Sequence, residues 1–374
     1  MSTKDKKASI RTAVNERMRR RERAEALTAR LLSDGNKTFA NGFTTTAMMR
    51  GNVKGFVPTG IAPLDVLLSG KAGGGFAMGR FSELMGEADV GKTTIGCYLI
   101  RAVQAMGGVG VVIDTEKTLT ERRLVELGVE TRQVVAVEDT ILESICDRIL
   151  FMLEKIKDQP AVIFWDTIAA TRSNRTKGRK VGESGGLAVH AQVLADAFRR
   201  ITDPLADSRV ALVMCNQRKQ GGIGDLFVNA RKRDAALGGD APKFAASQRM
   251  KLSFVNHGKV KQAKQAGQNF IVRAEMQKNK IAPSRLQVMS VIDVSGAVSQ
   301  FNAAASYVET MTKWGEMRAG RVVYSDKDSG KKYSRERFEG AYSGDRVFRL
   351  RADARLVDAY HRLNLREAEE GEDE

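Results

Sequence analysis

Gly86-Glu87-Ala88-Asp89-Val90-Gly91-Lys92-Thr93-Thr94 fits the pattern G-x-x-x-x-G-K-[ST]. In a P-loop of this spelling, backbone N–H groups of a glycine-rich turn wrap a triphosphate, the lysine neutralises its outer phosphates and the first threonine hydroxyl ligates Mg2+. The flanks supply the required context. Gly79 to Met85 is a short strand-like run, and Thr93, Ile95, Leu99, Val103 and Met106 allow a helix whose positive N-terminus faces the phosphates. The motif says nothing about which reaction the nucleotide serves.

The 374 residues suffice for one large domain with additions or for two domains, and 42% hydrophobic content is enough for a substantial core. A formal net charge of +16 gives a positive field that attracts a polyanion, unless the excess Lys and Arg only keep the chain in solution. Cys97, Cys146 and Cys215 are isolated among apolar residues, which predicts three buried thiols rather than a disulfide framework or zinc site. No apolar run approaches a membrane span, and the basic start lacks the apolar centre of a secretory signal. A soluble, cytoplasmic protein is expected.

Residues 1–50 are basic, with Ile10, Val14, Met18, Ala24, Leu27, Leu31 and Leu32 loosely at helical spacing; a thinly striped helix and a solvated arm both fit. Leu64, Asp65, Leu67 and Leu68 read as a short helix beside the nucleotide site. Gly108 to Asp114 is a strand, followed by Glu116 just past the edge where open parallel sheets place ligands, and by a helix over Leu119 to Leu127. Glu116 is either an exposed loop acid or a carboxylate that takes the proton of an attacking water. An amphipathic helix over Ile141 to Ile156 precedes a buried strand, Ala161 to Asp166, whose terminal Asp166 has the Walker B pattern of a magnesium-holding carboxylate.

A basic loop with Arg172, Arg175, Lys177, Arg179 and Lys180 then passes through Gly185 and Gly186 into a helix ending near Ile201. A strand from Val210 ends in Asn216-Gln217, and a second glycine-bearing loop, Arg218 to Gly239, carries Arg231, Lys232 and Arg233. Each charge run alone could be a solvated loop; two on the triphosphate edge of a basic chain point to a phosphate backbone as ligand. With only Phe227 as an aromatic in the second loop, stacking on bases is not favoured. Strands are expected over Met250 to Val255 and Phe270 to Met276, then a helix over Ala303 to Trp314, a hairpin over Arg321 to Tyr333, a helix over Arg346 to Leu363 and an acidic tail, residues 367–374, usually disordered.

Three stretches carry a family resemblance: Phe56 to Arg80 running into the P-loop; Gly238-Gly239-Asp240-Ala241-Pro242-Lys243-Phe244 and on to Arg249; and Lys278-Asn279-Lys280-Ile281-Ala282-Pro283. Together they are similar to the ATPase core of bacterial RecA-type recombinases, in unbroken order over roughly residues 56–365. The resemblance implies an α/β fold: a RecA-like core with a mostly parallel sheet over residues 51–300, a small α+β domain at 301–366 and a basic N-terminal arm. It implies an ATP-dependent recombinase, forming helical filaments on single-stranded DNA and pairing it with a homologous duplex. Gly86 to Thr94 would bind ATP, Thr93 and Asp166 would hold Mg2+, Glu116 would be the catalytic base, and Gln217 would sense the γ-phosphate. Lys278 and Lys280 would reach a neighbouring subunit's ATP, with Phe244 at that interface. Arg218 and backbone amides would take DNA phosphates, Ile223 would wedge between bases, and Gly238 and Gly239 would close the second loop.

Some positions depart from the family pattern. Thr120 and Arg123 stand where an acid and an aromatic flank the adenine, so Arg123 would stack on the base. Gly185-Gly186 lacks a bulky apolar residue, and the N-terminal arm is unlike the usual docking segment. Such differences suggest a divergent member from a phage or plasmid. A ring-forming motor of the same core fold and an ATP-switched DNA-coating protein are the alternatives; the Lys278-Asn279-Lys280 stretch speaks against the motor.

Overall fold

In the computed structural model the strand-like runs around the loop become the middle of one sheet. The structure describes residues 3–38, 52–156, 158–176, 186–217, 240–283, 285–294, 299–317, 324–325 and 330–370. Helix α1, Thr3–Thr38, belongs to a unit of its own, Met1–Asn52. Its Met18, Leu27 and Leu31 are exposed.

The second unit, Val53–Glu374, opens with the two-residue strand β1 (Phe56–Val57), helix α2 (Ala62–Ser69) and β2 (Phe76–Ala77), the partner of β1. Strand β3 (Arg80–Gly86) leads into the loop and α3 (Lys92–Ala105), then β4 (Val109–Asp114), α4 (Glu121–Glu126), β5 (Val134–Val137), α5 (Leu142–Ile156) and β6 (Ala161–Asp166). Helix α6 (Gly186–Asp207) and β7 (Val210–Gln217) follow, then α7 (Ala241–Ala245), β8 (Gln248–Phe254), α8 (His257–Gln265) and β9 (Phe270–Asn279). The remainder is β10 (Gln287–Asp293), β11 (Gln300–Asn302), α9 (Ala303–Lys313), β12 (Tyr324–Ser325), β13 (Lys332–Tyr333), α10 (Arg335–Gly344) and α11 (Arg346–Glu370).

Among the described residues, nine strands form the central sheet in the order β11-β10-β9-β8-β3-β7-β6-β4-β5. From β8 to β5 every neighbouring pair is parallel, while β9, β10 and β11 continue antiparallel. The central strands are buried on both faces, which is why they read as unbroken apolar runs. Alternate residues sort them: Val111, Ile113, Ile163, Trp165, Leu212 and Met214 pack with α5 and α6, whereas Val112, Val162, Phe164, Val213 and Cys215 pack with α3. Helix α3 lies flush on the sheet because Gly96 offers no side chain there; a Cβ would meet the Phe164 ring at 2.3 Å.

Several bounds differ from the sequence reading. Helix α2, expected beside the nucleotide site, packs on β9, β10, α9, α11 and β2 and is buried over its whole length. Asp65 within it accepts hydrogen bonds from Thr59 N and Oγ1, both 2.7 Å, and fixes the preceding turn. Helix α6 continues past Ile201 through Pro204, since Leu205 extends the buried stripe of Phe198 and Ile201. Helix α11 carries regular structure to Glu370, into the stretch expected as a disordered tail. Around α9 and α10, Tyr307 stacks on Phe338 at 5.2 Å, with Tyr324 and Phe348 against the same ring. Cys97, Cys146 and Cys215 are free and buried, as expected.

Candidate active site

Every parallel strand that matters here ends at one edge. The loop leaves β3 there; Gly91 caps α3 with a left-handed backbone, φ 92°, and a Cβ on it would lie 2.6 Å from the Phe301 ring. Only glycine satisfies both constraints. Lys92 is buried, its Nζ donating to Gly86 O at 3.1 Å and Glu87 O at 2.6 Å, so the ammonium curls over the loop that a phosphate would occupy. Val90 is buried beneath the loop, while Ala88 and Asp89 are exposed.

Thr93 Oγ1 donates to Asp166 Oδ2 at 2.7 Å. Asp166 ends β6 in register with Asp114 at the end of β4, which sets two carboxylates side by side. Burial pushes the Asp166 carboxyl above the ordinary carboxylate range, and the Asp114 charge adds to the push while Thr93 and Lys92 oppose it. Asp114 is a residue sequence reasoning missed. Its oxygens accept from Lys117 N (2.8 Å) and Leu119 N (2.9 Å), shaping the turn that carries Glu116. Glu116 Oε1 accepts from Gln217 Nε2 at 2.7 Å across the sheet edge. Burial first, then the charges of Asp166 and Asp114, raise the Glu116 carboxyl, with Lys92 and the Gln217 hydrogen bond opposing. Thr115 and Thr167 stitch these strand ends together: Thr115 N donates to Asp166 O, and Thr167 Oγ1 to Cys215 O.

Arg123, on α4, donates from Nη2 to Thr94 Oγ1 at 3.4 Å. It reaches back to the first turn of α3. Arg172 and Arg175 are exposed on the segment after β6, where Arg172 forms an isolated parallel bridge with Ile141, and Gly186 begins α6. Gly185, Arg218, Ile223, Arg231, Lys232, Arg233, Gly238 and Gly239 lie outside the described residues.

Phe244, Lys278 and Lys280 gather elsewhere. Lys278 Nζ donates to Lys243 O (2.8 Å) and Phe244 O (3.1 Å), Phe244 is 72% exposed, and Lys280 N donates to Ser247 O. Ser247 N in turn donates to Phe81 O at the start of β3, which sets this cluster roughly 17 Å of strand away from the loop.

The donor set at the loop edge suits a hard divalent cation: one hydroxyl and one carboxylate oxygen held together, with further oxygens left to phosphate and water. Among the described residues no group of three or more His, Cys, Asp or Glu could hold a metal by itself.

Fold and site together define an α/β core of RecA-like type, with its glycine loop between the central strand and the helix that follows. The family model of the RecA N-terminal domain matches residues 28–297, and the chain belongs to the RecA family. Curated relatives are distant. The chain is 26% identical to protein RecA of Acidiphilium cryptum over 79% of its own length and 86% of that protein. It is 28% identical to a mitochondrial DNA repair protein recA homolog of Dictyostelium discoideum, over 69% of this chain and 56% of the relative. With protein RecA of Synechococcus sp. (strain CC9902) it shares 29% identity over 61% of this chain and 57% of the relative. The matched stretch thus spans little more than half the length of the last two relatives. Among the described residues no helix is long and apolar enough to cross a membrane.

Proposed function

We propose that this protein is an ATP-dependent DNA recombinase that assembles as a filament on single-stranded DNA and promotes pairing and strand exchange with a homologous duplex. The observation that carries the reading is the meeting of Lys92, Thr93, Asp166, Glu116 and Gln217 at one sheet edge, in a chain of the RecA family.

Gly86 to Thr94 bind the triphosphate of ATP, with Lys92 turned onto its outer phosphates. Thr93 Oγ1 and Asp166 would hold Mg2+, whose charge, when it is bound, offsets that of the phosphates. Glu116 orients a water, and its Oε2, the oxygen not engaged by Gln217, takes the proton. Gln217 ends β7 where the second loop begins, so a shift of its amide from Glu116 to the γ-phosphate would be felt in that loop. Arg123, close to Thr94, faces the nucleotide from α4. Arg172, Arg175, Gly185 and Gly186 in the first loop, and Arg218, Ile223, Arg231, Lys232, Arg233, Gly238 and Gly239 in the second, contact DNA. Contacts made to phosphates carry no sequence information, so base pairing between the two bound strands must choose the partner.

Lys278, Lys280 and Phe244 are too far along the sheet to serve the loop of their own subunit. That distance supports a role on a neighbour's ATP, which makes nucleotide binding part of assembly.

The test is ATP hydrolysis with and without single-stranded DNA, alongside negative-stain imaging. DNA-stimulated turnover with helical filaments is the expected result. DNA-independent turnover by rings or monomers would sink the proposal, and rings would favour a motor of the same core fold.

A further inference from the structure

The loop Gly86 to Thr94 has the geometry to receive a polyanion, yet it contains two acids, Glu87 and Asp89, against one lysine. Asp89 stands at the exposed tip with a left-handed backbone, φ 62°, and a side chain 77% exposed. A carboxylate there repels the phosphates that the loop amides attract.

Its partner comes from far along the chain. Lys264 Nζ donates to Asp89 Oδ2 at 3.2 Å. Lys264 occupies the last turn of α8, where the helix dipole favours a cation. Its ammonium also lies 5.6 and 5.5 Å from the ring centroids of Phe254 and Phe270, within cation–π range. Those rings meet edge to face at 5.7 Å, one ending β8 and the other starting β9. The sheet therefore fixes the cation over the loop tip. An exposed ion pair contributes little to folding, whereas a fixed counter-charge beside a triphosphate acts on every phosphate at once.

We infer that Lys264 is a positioning residue for the nucleotide, neutralising Asp89 so that the loop accepts a triphosphate. This rests on the reading of Gly86 to Thr94 as an ATP site. The effect follows the charge of the ligand, larger for ATP than for ADP, and fades as salt screens it.

The experiment is equilibrium binding of ATP and of ADP to the full chain at low and moderate salt. Lys264→Met, which keeps the apolar stem, is expected to weaken ATP about fivefold at low salt, ADP less, with the gap closing as salt rises. Lys264→Arg restores binding. Asp89→Asn, which still tolerates the left-handed backbone, binds ATP more tightly than the parent, and the double variant returns close to parental affinity. Unchanged affinity in Lys264→Met would overturn the inference. So would a loss that is equal for ATP and ADP, indifferent to salt and not relieved by Asp89→Asn, because that is the behaviour of a residue that only holds α8 in place. A parent protein that binds no ATP would instead strike the ATP-site reading itself.

Discussion

Glu116 meets opposition to its negative charge from burial and from two neighbouring aspartates, and that fixes the sign of its pH dependence. As the proposed base it works only when ionised. Turnover should therefore rise with pH through a value above the usual glutamate range, and fall as pH drops through it. Glu116→Gln should lower turnover by about 100-fold or more and abolish that acid limb, while ATP still binds; a pH–rate profile with the limb intact in this variant would remove Glu116 from the mechanism. Gly91 raises a different issue at the same scale. Gly91→Ala would place a Cβ against Phe301 in a backbone region that costs an L-residue about 1–2 kcal/mol. Denaturant unfolding should show at least that loss, and nucleotide binding should fall with it.

Among the elements, the aromatic group that joins α9 to α10 and α11 is the most exacting. Phe338 is wholly buried and touches Tyr307, Tyr324, Tyr342 and Phe348. Phe338→Ala should cost about 3–5 kcal/mol of stability, read by urea unfolding. Much of the element plan was legible in the sequence because β4, β6 and β7 are apolar runs that end in a polar residue: Asp114, Asp166, Gln217. A buried strand that stops at water has to announce its end, and those ends are where the site forms. Helix α8 was not legible. Of its text, His-Gly-Lys-Val-Lys-Gln-Ala-Lys-Gln, Val260 and Ala263 are the residues buried in the core among the described side chains. Strand β10 was not legible either: its Gln287 and Ser290 interrupt the apolar run, and its burial pattern alternates only over the first half. Asp114 beside Asp166, and Lys264 on Asp89, are contacts between distant stretches that no local pattern encodes.

In the whole molecule as proposed, each ATP lies between two chains and is contacted by both. Lys92→Ala alone, and Lys278→Ala/Lys280→Ala alone, should both lack DNA-stimulated hydrolysis. Mixed, they should recover part of it, because some sites pair an intact loop with an intact lysine pair; a mixture as inactive as its components would argue against a shared site. Neutralising Arg231, Lys232 and Arg233 should weaken binding to single-stranded DNA, each lost phosphate contact flattening the logarithmic salt slope by about 0.7. An unchanged slope would move the DNA surface elsewhere. Strand β9 gives these arrangements a common measure. Its first residue, Phe270, lies under the lysine that steadies the strand's own phosphate loop, and the last turnings of its ten residues present Lys278 and hand on to Lys280. In the proposed polymer the part of this strand between the level of the loop and its lysine end, roughly 17 Å, would be a gauge between successive nucleotides. Held on both sides by neighbouring strands, it hardly stretches. The pitch would then be written into the interior of the sheet, and surface loops could lengthen or shorten around it without altering the step from one ATP to the next.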